Sequence, residues 1–310
     1  MAAAAGEPYR ENARLGIVSM LAAMVLMTVM NALAKHLAAH YPLTEVTFFR
    51  NLFALLPATA MVVAAGGRTC LRTKHWRGHL WRAVVGLTSM GLLFWSYHLL
   101  PLADAMAISY SAPLFLTALS VPLLGERVGP FRWGAVAVGF VGVLIIVQPG
   151  GALDKGAAVA LAAALAYALA MVAMRQLGRT ERPVTTVFYF TAIATLLSGL
   201  TLPFAWAAPG WGDVGLMALM GLAGGGSQYF STRAYALAPA VVIGPFSYAG
   251  ILWAVLLGWL VWGDVPSVAM MTGAGIVVAS GLLILFRETH RAEPRHHTAH
   301  KTASSIAAAP

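Results

Sequence analysis

Charge is scarce in this 310-residue chain: Asp, Glu, Lys and Arg together make up 10% of it, and only 11 residues are acidic. Soluble domains normally carry about 25% charged residues, so a water-solvated fold is excluded. Cysteine is nearly missing as well. The single Cys70 rules out an intramolecular disulfide and reads as an ordinary loop thiol. Several catalytic signatures are also absent: there is no HExxH, no GxxxxGK[ST] phosphate loop, and no GxSG, because Gly225, Gly226 and Ser227 are followed by Gln228. Asp104, Asp154, Asp213 and Asp264 are isolated from one another, which leaves no acidic pair for metal-bound diphosphate chemistry. ATP-driven pumping by this chain alone is excluded, and neither an enzyme activity, a cofactor nor a bound metal is expected.

What fills the sequence instead is apolar: 59% hydrophobic residues and a mean hydropathy of +0.76. Ten apolar stretches recur, near 14–36, 44–65, 81–99, 102–122, 130–147, 156–175, 184–205, 213–235, 240–261 and 267–286. Each is long enough to cross a hydrocarbon core of about 30 Å as a helix. Lys and Arg collect in cytoplasmic loops of membrane proteins. With the N-terminus inside, the inner segments hold 17 of the 20 basic residues, all but Lys35, Lys155 and Arg50. Ten helices with both termini cytoplasmic follow. The net charge of +9 is spread over these inner loops, which points to anionic lipid headgroups rather than nucleic acid. The first stretch is too long for a signal-peptide core. Residues 287–310, including His296, His297 and His300, lack apolar periodicity and are expected to form a disordered cytoplasmic tail, as 1–13 form a short cytoplasmic N-terminus.

The apolar pattern occurs twice. Residues 86–126 match 224–264 at a constant offset of 138, pairing Gly86 with Gly224, Ser89 with Ser227, Tyr97 with Tyr235, Tyr110 with Tyr248, Gly125 with Gly263 and Glu126 with Asp264. Earlier segments pair near offsets of 140–141, as with Gly16 and Gly156, Lys35 and Arg175, and Phe49 and Phe190. Five spans per unit is an odd number, so the second unit enters the membrane from the opposite side. Inverted repeats enclosing one central site are a common transporter architecture, and their two near-equivalent arrangements supply alternating access. Gly134, Gly139, Gly142, Gly273, Gly275 and Gly281 in spans 5 and 10 suit close helix approach.

The Phe48-Phe49-Arg50-Asn51-Leu52 run and the Leu-Leu-Gly-Glu-Arg run at 123–127, each in the duplicated frame, resemble the EamA-type drug/metabolite transporter superfamily. The resemblance covers 14–147 and 156–286, one repeat each. It implies an all-α integral membrane protein of ten helices, a secondary carrier with a central cavity lined by spans 1, 3, 4, 6, 8 and 9. The second half departs from the pattern, with Thr191 opposite Arg50 and Asp264 opposite Glu126.

Candidate substrate contacts are polar or aromatic residues of the cavity spans: Asn31, Ser89, Trp95, Tyr110, Tyr167, Gln228, Tyr248 and Trp253. Hydrogen-bonding groups in lipid must face protein or a wet cavity. Gly224, Gly225 and Gly226 precede Gln228 and allow a kink or close approach in span 8. Candidate gating or ion-coupling residues are Arg50, His98 and Asp104. Arg50 needs a partner inside span 2, with Glu45 or helix-end carbonyls available, and a structural or gating role is preferred over substrate contact. Asp104, early in span 4, is the candidate for proton coupling, although a carboxylate there also complements the helix dipole. His98 suits an interfacial position, and Glu126 and Asp264 suit helix caps.

A channel would need a continuous polar lining, and Leu, Ala and Met interrupt the hydroxyls here. The sequence therefore points to a secondary transporter exporting a small amphipathic, amino-acid-like metabolite, with protons as a candidate coupling ion. The alternative is uptake of an aromatic vitamin or nucleoside-like compound, of the riboflavin or S-adenosylmethionine type found among EamA relatives.

Overall fold

A computed structural model describes residues 12–126, 128–148, 154–238 and 240–292. Residues 1–11, Arg127 of the 123–127 run, and most of the expected tail, 293–310, lie outside them.

The described chain is a succession of helices: α1 (Ala13–Ala38), α2 (Leu43–Ala64), α3 (Trp76–Leu99), α4 (Leu102–Ser109), α5 (Ala112–Leu124), α6 (Pro130–Val147), α7 (Asp154–Leu177), α8 (Pro183–Gly199), α9 (Trp211–Leu237), α10 (Ala240–Ser247), α11 (Ala249–Leu257) and α12 (Val268–Ala292). Their limits follow from local chemistry. Asn12 starts α1 by accepting a hydrogen bond from the Leu15 amide. Pro42 and Pro101 immediately precede α2 and α4, while Pro130 and Pro183 open α6 and α8, positions where the missing N–H leaves no bond unmade. Gly125 ends α5 at φ 68°, and its repeat partner Gly263 ends the π-turn Gly258–Trp262 at φ 71°. Only glycine takes that left-handed conformation without strain.

Seven helical stretches are long and apolar enough to cross a membrane: Ala13–Ala38, Leu43–Ala64, Leu102–Leu124, Pro130–Val147, Lys155–Leu177, Pro183–Phe204 and Val242–Trp262. The ten-span expectation adds α3, α9 and α12. The first two have the length but carry more polar residues, and the apolar part of α12 described here is Val268–Ile284. Spans 4 and 9 were expected as continuous helices. Each is instead broken near its middle, at Tyr110–Ser111 and at Tyr248, which are equivalent positions of the repeat. The helix α12 also continues to Ala292, into the segment expected to be an irregular tail.

Partners are exchanged between the halves. Helix α1 packs chiefly on α9, α3 on α7, α6 on α12, and α2 on both α8 and α9. Helices α6 and α12 approach each other backbone to backbone. A Cβ on Gly142 would lie 2.8 Å from the Gly273 carbonyl oxygen, and one on Gly273 would lie 2.5 Å from that of Gly142. Beside them, the Ser280 hydroxyl donates to the Ala135 carbonyl. Gly134 and Gly275, by contrast, have open space where a side chain would begin, so they are not packing glycines. Gly142→Val is therefore expected to lower the thermal midpoint of the detergent-solubilised protein, with an overpacking cost of about 1–3 kcal/mol. Gly275→Val should leave that midpoint close to wild type; equal effects of the two would contradict this packing.

Candidate functional site

Between the two halves lies a cavity of two joined lobes, of about 420 Å³ and about 240 Å³. Asn31, Ser89 and Tyr167 line both and mark the junction, together with Met27, Leu93 and Met171. The larger lobe runs past the broken helices to Glu126, Arg132 and Arg175. The smaller lobe lies among α2, α3, α8 and α9 and carries Arg50, Arg82, Thr191, Gly224 and Gln228. Together they fall within the range of metabolite pockets, about 300–1,000 Å³.

The breaks in α4–α5 and α10–α11 shape the larger lobe. The Tyr110 hydroxyl donates to the Ser247 carbonyl at 3.0 Å, satisfying a backbone acceptor at the second break. The Tyr110 and Tyr248 rings lie 5.4 Å apart. Their hydroxyls occupy room left by glycines: Cβ atoms on Gly250 and Gly281 would collide with the Tyr110 and Tyr248 oxygens respectively. A mid-membrane interruption is tolerated where it lines a cavity, and here it does.

Helix phase decides which expected site residues reach the cavity. On α3, Arg82, Gly86, Ser89, Met90 and Leu93 share the inward face and line the smaller lobe. At about 100° per residue, His98 lies about 180° from Ser89, and Trp95 is also well off that face. Both point outward: Trp95 is 48% exposed and His98 is exposed. Trp253 packs instead against the cluster of Met20, Ala234 and Ile243. These three residues line neither lobe. Ser89 is at the junction, but its hydroxyl donates to the Ala163 carbonyl at 2.9 Å and ties α3 to α7. Asn31 donates weakly to the Met106 sulfur at 3.7 Å, while its carbonyl oxygen is buried without a partner. Arg82 was read from the sequence as an inner-loop charge. Its spacing of four and seven residues from Gly86 and Ser89 is the signal that places it on the cavity face.

Arg50 does not pair with Glu45, which is five residues away and on another side of α2. Glu45 accepts from the Ala207 amide at 3.0 Å. Nearby, Tyr41 donates to Asp213, and that bond raises the Tyr41 phenol above its ordinary value. The Arg50 guanidinium meets the Asn51 side-chain oxygen at 2.9 Å and the Met30 sulfur at 3.6 Å.

The two ends of the bundle differ. Lys35 donates to Asp264 at 3.2 Å and lies 4.8 Å from the centre of the Trp262 ring. Asp104 is within electrostatic reach of this pair. None of these four residues lines either lobe. Glu126 pairs with Arg175 at 3.2 Å at the mouth of the larger lobe, so both repeat-related acids make ion pairs rather than helix caps. Because Asp104 begins and Glu126 follows the same Leu102–Leu124 stretch, the repeat mates Asp264 and Glu126 lie at opposite ends of it. The cavity thus extends to Glu126 and does not reach Lys35 or Asp264. In a double-mutant cycle, Lys35→Ala and Asp264→Ala should show a coupling of about 0.5–2 kcal/mol in thermal stability. Strictly additive losses would mean the pair holds nothing.

Comparison with known proteins agrees with this architecture. The EamA-like transporter family matches residues 14–148 and again 154–286. A riboflavin transporter of Rhizobium johnstonii is 32% identical over 292 residues, 92% of this chain and 95% of the relative. The pseudopaline exporter CntI of Pseudomonas aeruginosa is 31% identical over 277 residues, 86% of this chain and 94% of the relative. A solved crystal structure superposes with a TM-score of 0.62 at 20% identity, covering 88% of this chain and 98% of the other, a likeness of fold. Two family matches that together span nearly the whole chain, over helices that enclose a shared cavity, make this protein a membrane transporter of the EamA-like family.

Proposed function

We propose that the protein is a secondary carrier of ten membrane-crossing helices in two inverted five-helix repeats, exporting a small amphipathic, amino-acid-like metabolite by alternating access. In this arrangement α3, α9 and α12 cross beside the seven more apolar stretches, and both termini face the cytoplasm of a bacterial inner membrane. The observation that carries the reading is the asymmetry of the cavity. It reaches the end bearing Arg132 and Arg175, where the distribution of basic residues puts the cytoplasm, and does not reach Lys35 and Asp264 at the other end. The opposite placement of the repeat mates Glu126 and Asp264 supports the inversion.

Asn31, Tyr110, Tyr167, Gln228 and Tyr248 are the proposed substrate contacts. Apolar methionine walls with a few polar atoms suit an amphipathic solute. Asp104, which makes no hydrogen bond of its own among the described residues, is the proposed site of proton coupling, because a change in its charge would be felt by the Lys35–Asp264 pair. A second reading, uptake of an aromatic vitamin, is favoured by the likeness to riboflavin transporters and by the paired Tyr110 and Tyr248 rings.

A deletion strain and its complemented parent, compared across an intracellular metabolite panel, separate the two. Build-up of an amino-acid-like compound in the deletion strain is expected; lost growth of a riboflavin auxotroph on low external riboflavin would favour uptake. With the accumulating compound, liposomes containing the purified protein should show saturable flux, whereas flux linear in concentration would contradict a carrier.

A further inference from the structure

The smaller lobe contains two guanidinium groups and no carboxylate. Arg50 and Arg82 both line it, and the Nε of each is buried without a hydrogen-bond partner. What surrounds them is neutral. Arg50 touches the Asn51 amide oxygen and the Met30 sulfur; Arg82 reaches the Thr186 carbonyl at 3.5 Å and the Met174 sulfur at 3.8 Å, and lies 4.6 Å from the centre of the Phe190 ring. No acid among the described residues hydrogen-bonds or ion-pairs with either guanidinium. Glu45 accepts from Ala207, Glu181 from Thr73, Asp213 from Tyr41, Asp264 from Lys35 and Glu126 from Arg175. An intramembrane charge without a counter-charge is costly, and its usual partner lies on a substrate or ion pathway.

Gly224 packs directly against Arg50: a Cβ there would sit 3.1 Å from Nη2 and 3.3 Å from Nε, so only a residue without a side chain leaves the guanidinium in place. The repeat gives no second copy of this arrangement, since Thr191 stands opposite Arg50 and Met220 opposite Arg82. The Phe190 ring and the sulfurs of Met30 and Met174 supply an apolar wall beside the charge.

We propose that this lobe is an anion subsite, whose lining guanidiniums, Arg50 and Arg82, draw in an amphipathic organic acid by its carboxylate. The inference rests on reading the cavity as the transport path, and it makes the transported species negatively charged at that end. Arg50 then contacts the cargo directly, with any gating following from occupancy.

The test uses two probes of the same shape, 1-naphthylacetate and 1-naphthylacetamide, both tritiated, in equilibrium dialysis against the full-length purified protein in detergent. The unaltered protein should bind the acid at least tenfold more tightly than the amide. Arg82→Gln and Arg50→Gln should each bring that ratio toward one, and Arg82→Lys should retain part of it. Equal binding of acid and amide by the unaltered protein would overturn the anion subsite while leaving the cavity as a binding site. Failure of both probes to saturate would overturn both. Because the ratio in the unaltered protein is decisive alone, a variant that fails to fold does not protect the proposal. Displacement of the acid by phosphatidylglycerol added to the micelle, without displacement by N-acetyl-phenylalanine, would give the arginines to a lipid headgroup and overturn a substrate role.

Discussion

Close backbone contact between the two halves is the constraint on which everything else depends. Inside a bilayer no hydrophobic force drives helices together, because lipid tails are as apolar as leucine. Attraction must come from atoms in van der Waals contact and from a few hydrogen bonds, and both need small residues at the interface. Gly142 against Gly273, with Ser280 bonded to Ala135, meets that need between α6 and α12. Gly16 does the same between α1 and the chain around Ala234 and Ala238. Each of these contacts joins one half to the other, so the cavity and the cohesive interface occupy the same boundary. A solute in the cavity therefore touches both halves at once.

Similarity between the repeats builds the frame, and their differences furnish it. The breaks after α4 and α10 fall at equivalent tyrosines, and the glycines that end α5 and the π-turn share one left-handed conformation. The ion pairs Lys35–Asp264 and Arg175–Glu126 follow the repeat too, but the arginines of the smaller lobe do not. Arg50 and Arg82 have neutral counterparts in Thr191 and Met220, and the latter is wholly buried. The charge of the smaller lobe is consequently a property of one half only, while the tyrosine pair belongs to both.

Length, hydropathy and the distribution of arginine made most helices legible from the sequence, as did the duplication and the family. The mid-span breaks were not, because a window wide enough to detect a membrane crossing averages over a single interrupted turn. Pro113, which cannot donate to a carbonyl one turn back, was the local sign of the first break. Within the site, residue type was a poor guide and helix phase a good one. Tyr110, Tyr167, Tyr248, Asn31 and Gln228 reach the cavity, whereas Trp95 and His98 sit on the wrong side of α3 and Trp253 belongs to a neighbouring core. Arg82 was overlooked because its charge counted toward the inner loop, although its spacing from Ser89 already placed it inward.

The central claim is that two halves of opposite orientation meet around one cavity. Cysteine labelling at the repeat mates Glu126 and Asp264, each introduced singly in a Cys70→Ala background and probed with a membrane-impermeant maleimide in right-side-out and inside-out vesicles, addresses it most directly. Labelling of position 126 only in inside-out vesicles and of position 264 only in right-side-out vesicles is the predicted result. Labelling of both positions from the same side would contradict it.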